Sequence, residues 1–535
     1  MISLGIEGTA EKTGIGIVNH QGKILASQHA QLIPQKGGIH PREAAEHHNQ
    51  KIPQLITQAL QEAQLTLKDI DLISFAQGPG LGPCLRTIAT AARTLSLALQ
   101  KPIIGVNHCI GHIEIGNLLG NIQHPVTLYV SGGNTQIISY ENQKYQIFGE
   151  TQDIAIGNCL DQFARETGLG HPGGPKIEKL AKKGTYTPLP YTVKGMDLSF
   201  SGLLTAAIQQ HTKHHQPIEN ICHSLQETAF SMLTEVTERA LSNTGNNNLL
   251  LVGGVAANKR LQEMLQTMAD QRNTTFYTPP QKYCGDNGAM IAWLGILTHT
   301  HNNKTQKIEN TTIKPKYRTD TVPLPWTQPN NNTHNNNTNS THGAEAIITQ
   351  TQYLNTPTIN KTRIKKNYRI PEIDTTLRKK RTRQEARLLH QAKKTGTRTP
   401  TIYKINKHTH TITLEKIEGT LLKNHHKPET YKKLGKTISQ LHNNQIIHGD
   451  LTTNNIIITP TQEIVIIDFG LGKQSPLNED KSMDLLVLKK SLQTENKTPL
   501  FQKVLKEYQK NVNYNTTKYI EEIEKRGRYN IRKEN

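Results

Sequence analysis

The chain has 535 residues, 34% of them hydrophobic and 20% charged, which allows two to four domains of roughly 100–200 residues but is too polar for packing along the whole length. It contains no run of eighteen apolar residues, which excludes a helical membrane span. The opening MISLGIEGTAEKTGIGIV is not a secretion signal. Five scattered cysteines (Cys84, Cys109, Cys159, Cys222, Cys284) without a CxxC pair exclude a disulfide scaffold and fit a reducing, cytoplasmic setting. Basic residues outnumber acidic ones by 27 to 24 up to residue 325 and by 36 to 19 beyond it. The second part is therefore expected to meet an anionic partner, with nucleic acid as the leading candidate and a solvated lysine-rich surface as the alternative.

In chain order, residues 3–18 read as a glycine-punctuated hairpin turning at 12–14. Apolar residues at helical spacing (Ile52, Leu55, Ile56, Ala59, Leu60) predict a helix over 42–64. Residues 72–76 read as a buried strand, 78–83 as a loop, and a helix is expected from about Leu85. Further strands are expected at 127–130, 136–139 and 249–252. The alternation of strand, turn and helix predicts an α/β domain over residues 1–325. Three glycine-rich turns, GIEGT at 5–9, SGGNT at 131–135 and GGVAAN at 253–258, lie beside these strands. Such turns let backbone N–H groups approach phosphate oxygens, and three in one domain favour nucleotide binding over ordinary turns.

His108 and His112, in HCIGH, stand four residues apart and share one face if the segment is helical. That spacing suits two ligands of one metal ion, and equally two ordinary histidines in a chain holding 24. Position 109 is cysteine, so the general base of an HExxH protease is missing. Asp286 is either a third ligand or the cap of a helix over 288–297.

The stretches LGIEGTA, HPREAAEHH, AQGPGLGPCLR, VNHCIGHIEIG, LYVSGGNTQ, GNCLDQFAR, HPGGPKIEKLA, MDLSFSGLLTA, LVGGVAANKRL and YCGDNGAMIAW cover nearly all of residues 1–320. They resemble the tRNA threonylcarbamoyl-adenosine transferase subunit of the KEOPS complex, a member of the actin/Hsp70/sugar-kinase ATPase superfamily. The resemblance implies a two-lobed fold of that class and one divalent metal, iron or zinc, held by His108, His112, Tyr129 and Asp286. It also implies that Tyr129, Val130, Ser131, Gly132, Gly133, Asp161, Gly174, Glu178 and Asn258 bind a threonylcarbamoyl-adenylate donor. By residue type alone, Asp161 and Glu178 read as helix surface charges and Asn258 as a helix cap.

An Asn/Thr-rich linker is expected at 326–342, because such a composition cannot bury a core. Beyond it, strand-like pieces (346–349, 358–360, 402–405, 412–415), a helical region at 431–443, a hairpin near 455–467 and helical C-terminal segments form a two-lobed order over 343–535. Asp450 of HGD, Asn455, and Asp468 of DFG follow the protein-kinase catalytic order, with Asp450 as catalytic base or orienting group and Asn455 and Asp468 as Mg²⁺ ligands. Lys361 fits the phosphate-gripping lysine and Glu385 its partner on a helix. The phosphate-covering loop reduces to Gly343, Ala344, Glu345 and Ala346, followed by Ile347 and Ile348, HRD has become HGD, and no APE motif follows DFG.

With these departures the segments GAEAII, YRIPEIDTTLRKKRTRQEARLL, HGDLTTNNIII, IDFGLG, EDKSMDLLVLKK and EKRGRYNIRK resemble the small atypical Ser/Thr kinase/ATPase subunit of the same complex. The whole chain is then similar to an archaeal fusion of the two. That implies transfer of a threonylcarbamoyl group from threonylcarbamoyl-AMP to the adenosine 3′ of the anticodon in tRNAs reading codons that begin with A. It implies ATP and Mg in the second domain, and small dimerising and kinase-binding KEOPS subunits as partners. The basic tail and the 378–383 run are expected to meet tRNA phosphates. The rivals are a metal-dependent glycoprotease, a Ser/Thr protein kinase with a scaffold domain, and a purely binding protein.

Overall fold

The computed structural model describes residues 1–33, 38–141, 143–302, 306–327 and 341–526. The first module holds two five-stranded sheets with the same connectivity. One runs in the order Ile24–Gln31, Lys12–Asn19, Ile2–Glu7, Leu72–Gly78, Ile103–Asn107, and the other in the order Lys144–Glu150, Thr135–Glu141, Val126–Val130, Asn248–Val252, Thr275–Tyr277. In each, three antiparallel strands are extended by two parallel ones. The α/β expectation holds, and the domain is a topological duplication that a search for short sequence periods does not detect.

The hairpin turns earlier than expected. Ile6 pairs with Ile15 and Glu7 with Gly14, so the turn occupies 8–11 and Gly14 and Gly16 lie inside a strand. These glycines serve packing. A Cβ on Gly16 would stand 2.1 Å from Ala289 N, and one on Gly5 2.3 Å from Ala292 N, because the helix Gly288–Asn302 lies directly on the strands. Gly16→Ala is therefore expected to destabilise the module at the upper end of the roughly 1–3 kcal/mol typical of overpacking, or beyond it. Chemical denaturation of the variant would check this.

The helix Ile218–Thr244 buries acidic and basic side chains, Glu227, Glu235, Glu238 and Arg239, among its apolar ones. Glu235, Glu238 and Arg239 are covered by the second module. That module has an antiparallel sheet ordered Thr341–His342, Ile347–Tyr353, Thr356–Thr362, Thr411–Glu415, Ile402–Asn406, crossed by the helix Pro371–Lys394. A mainly helical lobe follows, built on Pro428–Asn443, Asn478–Thr494, Thr498–Gln509 and Thr516–Arg526. Of the linker expected at 326–342, residues 328–340 lie outside the described residues. Trp326 and Thr327 belong to the first module, since Trp326 Nε1 donates to Glu114 at 3.0 Å and Tyr140 donates to Thr327 at 2.7 Å. Among the described residues no helix is long and apolar enough to cross a membrane.

At the seam between the modules, Lys490 reaches Asp197 at 3.0 Å beside the buried Glu150. Burial pushes the Glu150 carboxyl up to about 7 from 4.5, against the pull of Lys490. The folded chain thus holds this proton more tightly than the unfolded one. The contribution is full below about pH 4.5 and fades as the pH rises through 7, a loss of up to about 3 kcal/mol. Glu150→Gln is expected to match the parent's melting temperature at pH 5 and exceed it at pH 8.5, as read by thermal unfolding at the two pH values.

Candidate functional site

The first site begins at the end of the strand Ile103–Asn107. Asn107 Oδ1 accepts the Ile110 N–H at 3.1 Å and so caps the helix His108–Gly120. Starting a helix there places His108 and His112 one turn apart, with ring centroids separated by 4.8 Å. Asn287 Oδ1 accepts the Met290 N–H at 3.0 Å, so Asn287 caps the helix that follows and Asp286 is left for the histidines. Asp286 Oδ1 lies 3.1 Å from His112 Nε2 and 3.6 Å from His108 Nε2. One ligand atom from each of the three falls within 4.8 Å of the others. Tyr129, fully buried, stands with its ring 5.2 Å from that of His112.

Glu7, which sequence reasoning passed over, completes this cluster. His108 Nδ1 donates to its Oε2 at 3.1 Å, while its Oε1 accepts the Thr9 N–H at 2.9 Å and the Thr9 hydroxyl at 2.8 Å. A carboxylate on Nδ1 orients the ring and aims Nε2 at Asp286, 3.6 Å away, where either a proton or a metal ion can sit between them. Burial opposes charge on His108, but Glu7 and Asp286 overcome it and raise the imidazole to about 9. Burial with the neighbouring His108 lowers His112. Asp286 is held well below the usual carboxylate range by the two histidines in spite of burial. Two imidazoles, a carboxylate and a nearby phenol are a donor set that fits a borderline divalent ion. The signal for Glu7 was its charge in an otherwise apolar, glycine-bearing strand.

The segments that carry the residues expected around the donor are joined by hydrogen bonds. Ser131 O accepts the Gly157 N–H at 3.2 Å, Asp161 Oδ1 accepts Gly173 N–H at 2.7 Å, and Glu178 Oε1 accepts Lys259 N–H at 2.9 Å. Asn258 is the cap it resembled by residue type: its Oδ1 accepts from Arg260 and Leu261, and its Nδ2 donates to Gln226 at 3.2 Å. Open space fronts Gly132, Gly174 and Gly254, as close approach of a ligand requires. Asn134, also unforeseen, donates from Nδ2 to the Tyr129 hydroxyl at 3.3 Å and from its backbone N–H to Ser131 Oγ at 3.0 Å. Val130 ends the strand below this turn, and Gly133 lies within it.

The second site brings the kinase-order residues together. Lys361 Nζ contacts Glu385 Oε1 at 2.8 Å and also the Asp468 carboxylate. Asn455 Nδ2 donates to Asp450 O at 2.8 Å and to its Oδ2 at 3.2 Å. Burial raises the Asp450 carboxyl against the pull of Arg239 and His448, which makes it a stronger base. Asp484 holds the loop, accepting the backbone N–H of His448 at 2.6 Å and of Gly449 at 2.8 Å. A lone aspartate within the apolar run MDLLVL was its signal. Gly343, Ala344, Glu345 and Ala346 make a turn closed by Gly343 N–H to Ala346 O at 3.1 Å, leading into the strand that carries Ile347 and Ile348. Residues 471–477 alone separate DFG from the helix Asn478–Thr494, and Lys473–Gln474 pairs with Ile446–Ile447. The segment that follows DFG is therefore short.

The basic stretches need a correction. Arg381 is buried and bonded to Glu235 at 2.8 Å and Glu345 at 3.1 Å, and Arg378 is bonded to Asp374 at 2.7 Å. Helical periodicity turns both inward, so of the 378–383 run only Lys379, Lys380 and Arg383 are exposed. The basic tail beyond residue 526 lies outside the described residues.

The model of the family described as tRNA N6-adenosine threonylcarbamoyltransferase matches residues 22–293, and that of the RIO domain matches 350–513. A protein of Methanobrevibacter smithii is 55% identical over 99% of both chains. One of Methanothermobacter thermautotrophicus is 52% identical over 99% of this chain and 100% of its own. One of Methanocaldococcus jannaschii is 52% identical over 92% of each. Each is named a probable bifunctional tRNA threonylcarbamoyladenosine biosynthesis protein. The chain joins a transferase module to an atypical, RIO-like kinase module, and it belongs to the family of bifunctional tRNA threonylcarbamoyladenosine biosynthesis proteins.

Proposed function

We infer that the first module transfers a threonylcarbamoyl group from threonylcarbamoyl-AMP to the N6 amine of the adenosine 3′ of the anticodon, in tRNAs reading codons that begin with A. The amine nitrogen bonds to the carbamoyl carbon and releases a proton, and the carbon–oxygen bond of the mixed anhydride breaks, with the electron pair leaving on AMP. The observation that carries this reading is the His108–His112–Asp286 cluster beside the open glycine turns. His108, His112, Asp286 and Tyr129 are the proposed metal ligands, and an iron or zinc ion there would polarise the carbonyl and hold the donor. Glu7 orients His108. The turn at Ser131, Gly132 and Gly133 lies next to Tyr129 and is suited to the adenylate phosphate. Asp161, Gly174, Glu178 and Asn258 flank the nucleoside end, with Val130 supporting the turn from below.

In the second module Lys361, Glu385, Asn455 and Asp468 are the proposed ATP and Mg²⁺ residues, Asp450 orients the attacking hydroxyl or water, and residues 343–348 cover the phosphates. This kinase/ATPase supports or regulates turnover of the first site. Small dimerising and kinase-binding KEOPS subunits are the proposed partners. A cytoplasmic setting agrees with five free, buried cysteines among the described residues. The test is incorporation of carbon-labelled threonine into tRNA by the purified chain, with bicarbonate, ATP, a threonylcarbamoyl-adenylate synthase and the partner subunits. Label in the adenosine 3′ of the anticodon supports the reading. Absence of label with every partner set overturns it.

A further inference from the structure

The helix Pro371–Lys394 has two unlike faces. Its inward face carries Asp374, Arg381 and Glu385, all buried, and Arg381 reaches the transferase module at Glu235. On the opposite side lie Lys379, Lys380, Arg383, Arg387 and Lys394, all exposed. Steps of three, four and seven residues keep them on one face, over about 22 Å at roughly 1.5 Å per residue. None of the five takes part in an ion pair among the described residues, whereas Arg378 and Arg381 both do. Beyond Glu372 in the first turn, the acids of this helix, Asp374 and Glu385, are buried, so no carboxylate of the helix offsets the stripe.

Like charges one turn apart repel, so the stripe works against the fold, and a polyanion laid along it relieves that repulsion. From Thr375 onward the exposed positions of the helix include no apolar side chain. A protein partner needs an apolar centre with few lysines, and an anionic membrane needs apolar side chains to insert. This face offers neither. Nucleic-acid phosphates need only spaced cations. The positive charge also continues beyond the helix. Lys380 lines a cleft at the module seam together with Lys473 and, from the transferase module, Lys194. Those two lysines share one carboxylate, Asp480, at 2.7 and 3.8 Å. The other acid there, Asp484, is taken by the backbone N–H groups of His448 and Gly449.

We propose, resting on the tRNA reading above, that the outer face of this helix is a docking surface for the phosphate backbone of the substrate tRNA. Its lysines and arginines neutralise phosphates without regard to base sequence and release the counterions held there. The inner face of the same helix carries Arg381 against Glu235 and Glu385 against Lys361. RNA on the outer face therefore lies on the element that joins the transferase seam to the ATP site.

The experiment uses the full-length chain and an unmodified transcript of a tRNA that reads a codon beginning with A. Binding is followed by fluorescence anisotropy over a range of salt concentrations. The triple variant Arg383→Gln, Arg387→Gln, Lys394→Gln is expected to bind roughly ten- to a hundredfold more weakly at about 0.1 M salt. The slope of log affinity against log salt should fall by about two to three, at roughly 0.7–0.9 for each lost phosphate contact. Its melting temperature should stay at or above the parent's, because repulsion is removed. The same charge change at Lys433, Lys436 and Lys503, exposed on the helical lobe, should leave affinity and slope unchanged. In the parent, tRNA is expected to shield Lys379, Lys380 and Lys394 from an amine-acylating reagent and to leave Lys433 and Lys436 reactive, as read by mass spectrometry. That readout needs no variant and decides even if the triple variant fails to fold. Unchanged affinity and slope, equal losses in the two triple variants, or no shielding on the helix overturns the proposal and leaves an acidic protein as the occupant of the stripe. The labelled-threonine assay fails separately. A parent that binds tRNA through the stripe yet transfers no label sinks the transferase reading alone, and a stripe variant that matches the parent in affinity and in KM for tRNA sinks only this surface.

Discussion

His112→Ala is expected to abolish threonylcarbamoyl transfer and to strip the divalent metal, while tRNA binding and ATP hydrolysis persist. His112 is fully buried, and its Nε2 stands 3.1 Å from Asp286. Removing it leaves His108 and Asp286 as two of the three clustered ligands, and no neighbouring side chain on the helix replaces the imidazole. The loss of metal affinity should exceed the roughly 10–100-fold that follows loss of an outer partner. Glu7→Gln, which within the ligand cluster touches His108 Nδ1 and otherwise Thr9, supplies that smaller effect in the same protein. Metal content by mass spectrometry after dialysis against a chelator, with the labelled-threonine assay in parallel, reads both variants. Full metal in His112→Ala would remove this histidine from the ligand set, whatever the activity. A melting curve close to the parent's would show that the lost imidazole volume has not unfolded the lobe.

What the sequence disclosed and what it concealed divide along physical lines. Asp450, Asn455 and Asp468 keep a fixed spacing because a tight loop and hairpin hold them, so local order suffices to find them. His108 and His112 were legible for the same reason, since one helical turn sets their separation. Whether Asp286 joined them was open, because a cap and a ligand use the same residue type at the same place. The structure frees Asp286 by giving the cap to Asn287. Glu7, 101 residues from His108 in sequence, could not be paired with it by spacing. The hairpin turn was misplaced because Gly14 was read as a turn former, when the demand on it comes from a helix more than 270 residues away in the chain. The seam was hidden altogether. Glu235, Arg239 and Arg381 look like ordinary helix surface charges, and only the docking of one module on the other buries them.

Asp450→Asn is expected to lower ATP hydrolysis by roughly 10²–10⁴-fold, the usual contribution of a positioned general base, with little change in nucleotide affinity. The asparagine keeps the shape and an oxygen for the Asn455 amide, which now sits 3.2 Å from Oδ2, so the loop stays in place while the basic oxygen is lost. Lys361→Ala acts differently. It takes away the cation that the buried Glu385 and the partly exposed Asp468 share, so ATP affinity should fall along with the rate. Steady-state ATPase kinetics separate the two, with a lowered kcat alone in the first variant and a raised KM as well in the second. The same pair of variants asks what the second module does for the first. With pre-formed threonylcarbamoyl-AMP and tRNA in excess over enzyme, Asp450→Asn is expected to complete its first transfer at the parent's rate and then to slow. On the proposed reading, chemistry at the His108–His112–Asp286 cluster needs no ATP, whereas repeated turnover would depend on the hydrolysis that Asp450 supports. Rapid-quench measurement of labelled tRNA reads that burst. A first transfer as slow as the later ones would place the kinase module's contribution in assembling the transferase site, and the 27-residue helix that carries Gln226 against Asn258 and Arg239 against Glu345 would be the element through which it acts.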